Sequence, residues 1–471
     1  MFMKNILVIT IVIFSLNSFA SAEQSSFINK NWKFLASIKS NNFEKTFEKL
    51  TSLNIDIAGV NIDAKEIDVL INDYDYQNLE NNKKNFDKII IKEVKGISKG
   101  PDEEYKNPEE IEMIVEDFAT RFPNITKRVS IGKSLEGRDI WAIKISDNPE
   151  IDEEDEPTAL FNSMHHAREV MSPEVSIDII ETLLTGYGVD SQITNWVDSN
   201  VIWVLPMFNV DGNNRMWNED KWWRKNARGN YGVDLNRNYP TGWNKCSGSS
   251  GWKYAQDYRG PSPASEPETQ AMMNFISEIR PVFDISYHSY SELVIYPFGC
   301  KGERTATREV VEKIGKELGA MLNYKAGTAW ELLYNADGGD IDWMYDTFQV
   351  IPFVIELNSN SEGFQPSYAK WRDKTVIKNR VGWQHLLNRL SQNGLRGKFS
   401  INNIAVDDYF IKIYKENETT TFQTYKGHKT GLYHLVLNPG KYNLEFIVNN
   451  QIVKKENVTI DMNLSTLNVE I

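Results

Sequence analysis

From residue 107 to residue 392, short apolar runs of strand type alternate with helical patterns, which predicts an α/β protein whose central sheet is covered by helices. Two changes of texture complete the prediction. Residues 23–100 combine alternating apolar runs with an amphipathic stretch, the pattern of a small α+β unit. From Gly394 onward the strands become short and evenly spaced, which predicts an all-β sandwich over 395–471. With 471 residues, 41% of them apolar and 12% aromatic, the chain has material for more than one core.

The elements follow in order. Residues 1–22 begin with Met-Phe-Met-Lys-Asn, continue through an apolar run at 6–14 and end in Ala-Ser-Ala at 20–22. These are the zones of a secretory signal cut after Ala22, so a secreted or periplasmic protein is expected, with an N-terminal membrane anchor as the alternative. No later stretch is long and apolar enough to span a bilayer, so no stable membrane insertion is expected after cleavage. Strands are predicted at 55–60, 66–71 and 88–91, and a helix at 43–50. Turn formers mixed with charge at 98–104 mark a linker. In the central region the predicted strands are 139–145, 158–161, 201–205, 283–287 and 351–355. His166 comes soon after the second, His288 follows the fourth and Glu356 follows the fifth, which suits the placing of sites at strand carboxyl ends. Beyond 394, alternation at 410–414, a Lys-Gly-His-Lys-Thr-Gly turn at 426–431 and the stretch 437–444 carry the sandwich.

A net charge of −13 argues against a nucleic-acid partner, since phosphate neutralisation needs a basic surface. The acidic run at 152–156 reads as a solvated loop more readily than as a calcium site. Two cysteines, Cys246 and Cys300, suit an exported protein either as one disulfide or as two buried thiols.

The chemistry centres on His166-Ala-Arg-Glu169 and His288. Two neutral imidazoles and a carboxylate make three metal ligands and leave the fourth tetrahedral position to water, the mark of a catalytic zinc site. The neighbouring His165 is a decoy, because three residues beyond it stands Arg168, which cannot ligate a metal. Glu356 follows an apolar run, and desolvation there raises a carboxylate towards the pKa of a general base. Arg224, Asn236, Arg237 and Tyr334 stand in segments of purposeful composition, and an arginine fork grips a carboxylate through two parallel hydrogen bonds.

Together the motifs His166-x-x-Glu169, Trp-Arg-Lys at 223–225, Asp-x-Asn-Arg-Asn at 234–238, His-Ser-Tyr at 288–290, Tyr-Pro-Phe-Gly at 296–299, Gly-Gly-Asp-Ile-Asp-Trp at 338–343 and Phe-Val-Ile-Glu-Leu at 353–357 closely resemble the zinc carboxypeptidases of the carboxypeptidase A type. Carboxypeptidase A is itself the standard example of a His₂Glu zinc site. The resemblance covers residues 107–392 and implies a mixed twisted sheet flanked by helices, holding one Zn²⁺ per chain. It implies His166, Glu169 and His288 as ligands, Glu356 as general base, and Arg224 as the cation that meets charge developing on the scissile carbonyl oxygen. Asn236, Arg237 and Tyr334 match the clamp for a substrate's terminal carboxylate, and Asp234 the acid that orients His166. Arg168, Ser289 and Tyr290 match subsites farther along the peptide.

The resemblance further implies hydrolysis of the C-terminal peptide bond of peptides or proteins by a monomer. Ile295, Gly299, Ala329, Leu333, Ala336, Ile341 and Val354 match an apolar side-chain pocket suited to hydrophobic residues. Asp340 either adds acceptance of basic residues or caps the turn after the glycines at 338 and 339. Residues 23–100 resemble the activation domain of this family, and 395–471 its transthyretin-like companion. The alternatives are a cell-wall peptide carboxypeptidase or amidase of the same fold, and an inactive peptide-binding relative.

Overall fold

The computed structural model of the chain describes residues 33–86, 88–93, 101–153 and 156–471. The expected signal segment and residues 98–100 of the linker lie outside the described residues. Among the described residues no helix is long and apolar enough to cross a membrane.

The N-terminal unit is a four-stranded antiparallel sheet in the order Asp56–Asn61, Glu66–Ile71, Phe34–Lys39, Lys88–Glu93, with helices Phe43–Ser52 and Asp73–Asn81. Its predicted strands and its first helix fall where the alternation and the amphipathic spacing put them. Local capping explains the helix starts: Asn42 accepts from the Lys45 amide, and Asn72 and Asp75 form a reciprocal capping box. The strand Phe34–Lys39 and the helix Asp73–Asn81 escape sequence reading, the helix because Leu79 is its only buried residue. Ile38, Leu50, Ile67, Val69, Ile71 and Leu79 form a core of their own.

The central region is an eight-stranded mixed sheet, in the order Lys325–Gly327, Leu293–Ile295, Ile351–Leu357, Phe283–Ser289, Thr158–Ser163, Val201–Leu205, Asp139–Ile145, Thr126–Lys133. Its middle strands pair parallel and are buried on both faces, which is why Val201–Leu205 and the start of Ile351–Leu357 read as unbroken apolar runs, while Phe283–Ser289 alternates apolar with buried polar residues. Helices Met171–Gly186, Arg308–Leu322 and Tyr368–Leu390 pack together against the sheet, while Pro108–Arg121 and Pro267–Ile279 cover its antiparallel edge. One expectation needs adjusting. His288 and Glu356 lie inside their strands, not after them, because parallel pairing continues to Ser289 and Leu357 and puts the two residues side by side in register.

The C-terminal region packs two sheets face to face. Gly394–Ile401 is the hub of one, pairing with Ile404–Ala405, Leu432–Val436, Leu464–Thr466 and Val469–Glu470. The other runs Gln423–Lys426, Phe410–Lys415, Gly440–Val448, Gln451–Ile460. Phe446 is fully buried between them, its ring against Phe399 and Tyr433. Phe446→Ala is therefore expected to destabilise this region by about 3–5 kcal/mol, measured by urea unfolding. A change under about 1 kcal/mol would mean the sandwich core is not close-packed.

Candidate active site

Three side chains converge at the carboxyl ends of neighbouring strands. His166 Nδ1 lies 2.8 Å from Glu169 Oε1, His288 Nδ1 lies 3.0 Å from Glu169 Oε2, and the two Nδ1 atoms are 3.1 Å apart. His166 turns Nε2 to Asp234 Oδ1 at 3.1 Å, and His288 turns Nε2 to Ser286 Oγ at 3.3 Å. With the Asp234 carboxylate placed to accept from His166 Nε2, both Nδ1 atoms face each other and the Glu169 carboxylate, the arrangement in which each would turn a lone pair to a shared cation. Three electron pairs aimed at one point fit a divalent cation, and two nitrogens with one oxygen fit zinc.

The surroundings support that charge arrangement. Burial alone pushes Glu169 upward, but the pull of His166 and His288 outweighs it and holds the carboxylate below its ordinary pKa. Asp234 is also fully buried, yet Arg224 and His166 hold it well below its usual range. Its Oδ2 accepts from Arg224 Nη2 at 2.9 Å and Nε at 3.2 Å, and Arg224 Nη1 stands 3.8 Å from Glu169. Glu356 moves the other way. Burial first, then the negative charge of Glu169, raises its pKa, while His288, Arg224 and Arg237 pull it back. A bound dication would lower it further towards the working range of a base.

Asn236 and Arg237 sit on the short turn Leu235–Arg237, which Asp234 starts by accepting from the Asn236 amide at 3.0 Å. Arg237 is 6% exposed, and its guanidinium donates to two backbone carbonyls, Asn236 O at 2.6 Å and Gly248 O at 3.1 Å. Among the described residues no carboxylate pairs with it, so a buried cation faces the cavity without a counter-ion. Leu293, Ile295, Ala329, Ile341 and Val354 form a separate apolar cluster that walls this side of the cavity, with Leu333 and Ala336 packed against it.

Asp340 is fully buried. Its Oδ1 accepts from the Ile341 amide at 2.8 Å and its Oδ2 lies 3.5 Å from His165 Nε2. Burial pushes His165 down to about 3, so that ring is neutral; it stacks on His288 and meets Tyr239.

Arg168, Ser289 and Tyr290 are placed differently from a set of open subsite residues. Arg168 is fully buried and its guanidinium forks onto Asp56 of the N-terminal unit at 2.7 and 3.0 Å. The Tyr290 hydroxyl reaches Asp68 at 3.5 Å, and its ring packs with Leu70, Trp222 and Phe364. Ser289 donates its amide to Glu169 at 3.2 Å. Phe47 stacks on the Tyr334 ring at 4.8 Å, and Ile57, Ala58 and Gly59 line the cavity mouth. Beneath this cover about 90 Å³ of cavity is left, against roughly 300–1,000 Å³ for an ordinary ligand pocket.

Some neighbours of the site gave no local signal. Ser286 shares the buried strand Phe283–Ser289 with His288 and reads as one more core position; its place two residues before His288, on the same strand face, was the available clue. Asp337 stood in the turn beside Tyr334 with nothing in its surroundings to single it out. Cys246 and Cys300 are joined in a disulfide.

A mixed α/β sheet that gathers two imidazoles and a carboxylate at its strand ends, with an acid and two arginines around them, defines an α/β protein with a three-ligand metal site. The sequence profile of the zinc carboxypeptidases matches residues 111–375, more than half of the chain, and the chain belongs to that family. Human mast cell carboxypeptidase A is 31% identical over 274 residues, covering 55% of this chain and 64% of that protein. A zinc carboxypeptidase of Saccharothrix mutabilis subsp. capreolus is 33% identical over 282 residues, covering 56% and 64%. The chain thus spans just under two thirds of the length of these relatives. The solved carboxypeptidase A of Helicoverpa armigera superposes with a TM-score of 0.67 at 21% identity, over 76% of this chain and 97% of that one, and so shares the fold.

Proposed function

We propose that this chain is a secreted, monomeric zinc metallocarboxypeptidase that hydrolyses the C-terminal peptide bond of peptides and proteins, with preference for apolar terminal residues. The observation that carries this reading is the convergence of His166, Glu169 and His288 within hydrogen-bonding distance of one another, with Glu356 beside His288 in register. His166, Glu169 and His288 would hold a zinc ion, which would supply an acidified water and polarise the carbonyl under attack. Glu356 takes the proton of the attacking water and delivers it to the departing amine, so no acyl-enzyme is needed. Arg224 presents a fixed positive charge where negative charge develops on the carbonyl oxygen. Asn236, Arg237 and Tyr334 hold the substrate's terminal carboxylate. An internal peptide bond leaves Arg237 without an anion, which makes the reading an exopeptidase.

The apolar cluster around Ile341 favours aromatic or branched terminal residues. Asp340 gives Oδ1 to its own helix start and keeps Oδ2, buried at the cavity wall, without a hydrogen-bond partner, so it is the feature that would admit a basic residue as well. The N-terminal unit, within 23–100, is read as an activation domain lying over the cavity and removed by cleavage at the linker, and 395–471 as a transthyretin-like companion.

Blocked dipeptides ending in Phe, Leu, Lys and Glu, assayed on the zinc-loaded protein after removal of the N-terminal unit, test the reading. Phe and Leu are expected to be cleaved roughly tenfold or more faster than Lys and Glu in kcat/KM. A chelator is expected to abolish all of it, and turnover that survives full zinc removal sinks the proposal.

A further inference from the structure

Three backbone segments meet beside Arg237: 246–249, 299–301 and 335–338. They are in direct backbone contact. A Cβ added to Gly248 would stand 2.6 Å from the Asp337 amide nitrogen, and one added to Gly338, whose φ is +68°, would press on the Arg237 carbonyl. Ala336 donates its amide to Gly299 O at 3.0 Å, and Lys301 donates its amide to Asn335 Oδ1 at 2.9 Å.

Asp337 lies at the centre of this junction and is fully buried. It has no cationic partner within ion-pair distance among the described residues. Its Oδ2 accepts from the Cys246 and Gly248 amides, both at 3.0 Å, and its Oδ1 from the Ser249 hydroxyl. A buried carboxylate satisfied only by donors of one loop is costly to bury and strongly directional, so it holds that loop in one place. Cys246 is tied as well to Cys300, 54 residues away, next to Gly299 in the pocket wall. The loop so held contributes Gly248 O, one of the two carbonyls that orient the Arg237 guanidinium.

We propose that Asp337 and the Cys246–Cys300 disulfide form the brace that positions Arg237 to recognise a free terminal carboxylate. Asp337 is then a positioning residue acting through Gly248 O, and the disulfide is its covalent reinforcement. The inference rests on the reading of Arg237 as the carboxylate clamp. A guanidinium released from Gly248 O swings within the cavity and loses the two-bond fit to its anion. Binding weakens while the metal group and Glu356, held by other strands, stay in place.

The test compares the zinc-loaded, N-terminally trimmed protein on a blocked dipeptide ending in Phe and on the same compound with a C-terminal amide. Asp337→Asn is expected to raise KM for the free acid roughly tenfold with kcat within about twofold, and to shrink the preference for acid over amide. Cys246→Ser with Cys300→Ser is expected to act in the same direction, and all three changes together to do no more than the larger effect alone, because they loosen one loop. Ser249→Ala, which removes one donor and keeps the fold, is the milder check, with KM raised about twofold to threefold. Unchanged KM and unchanged acid preference in these variants overturn the brace, as does a fall in kcat alone. Wild-type protein that cleaves acid and amide equally well fails the clamp reading itself, which separates the two failures.

Discussion

Glu356→Gln is expected to lower kcat by about 10³-fold while the protein still takes up one zinc ion. Gln keeps the size and the hydrogen-bonding reach of Glu but cannot carry the proton between water and amine. None of the three ligand atoms is touched, so metal uptake measured by competition with a chromophoric chelator is expected to stay close to wild type. The pH behaviour gives a second signature. Burial and the Glu169 charge raise the Glu356 pKa, so the fraction of active carboxylate grows as pH rises, and the wild-type rate climbs along an acid limb that the Gln variant lacks. The stability of the metal-free protein runs the opposite way. A carboxyl whose folded pKa lies above its unfolded one stabilises the fold below the unfolded pKa and loses that contribution as pH rises through the folded value. Metal-free Glu356→Gln is therefore expected to melt above wild type at alkaline pH and to match it in acid. A Gln variant with wild-type turnover would remove Glu356 from the proton path.

Cutting the chain in the linker before residue 104 is expected to raise kcat/KM by about 100-fold or more. A tethered cover acts at an effective concentration near millimolar, so it blocks the cavity without needing high intrinsic affinity. The cover includes the buried Arg168–Asp56 fork, the Phe47–Tyr334 stack, the Tyr290 hydroxyl at Asp68 and residues 57–59 across the mouth. The first three of these occupy residues expected to touch substrate. Asp56→Asn leaves the Arg168 charge buried without its partner, a loss of about 3–5 kcal/mol for such pairs, and is expected to give the uncut chain measurable activity. Rate assays run beside intact-mass measurement during limited proteolysis check both statements. An uncut chain already as active as the cut one would show that substrate passes the cover freely.

How much of this was legible depends on the range of the interaction. Five central strands could be read, Val201–Leu205 and Ile351–Leu357 because burial on both faces demands consecutive apolar residues, and the ends of three of the five pointed to His166, His288 and Glu356. The short strands Leu293–Ile295 and Lys325–Gly327 were too brief to carry a pattern. His165 was set aside by spacing, since Arg168 stands three residues on; only the fold shows that it and Asp340 face each other at 3.5 Å, both fully buried.

Residue type and spacing, which are local properties of the chain, were enough to single out the three donors, Glu356 and five of the eight strands of the central sheet. Which distant groups face one another is a different kind of fact. Asp56 against Arg168, 112 residues apart, Asp337 against Cys246, 91 apart, and the pairing of Cys246 with Cys300 arise only when distant segments pack. No pattern along the chain records such meetings, because their partners are chosen by the geometry of the folded sheets.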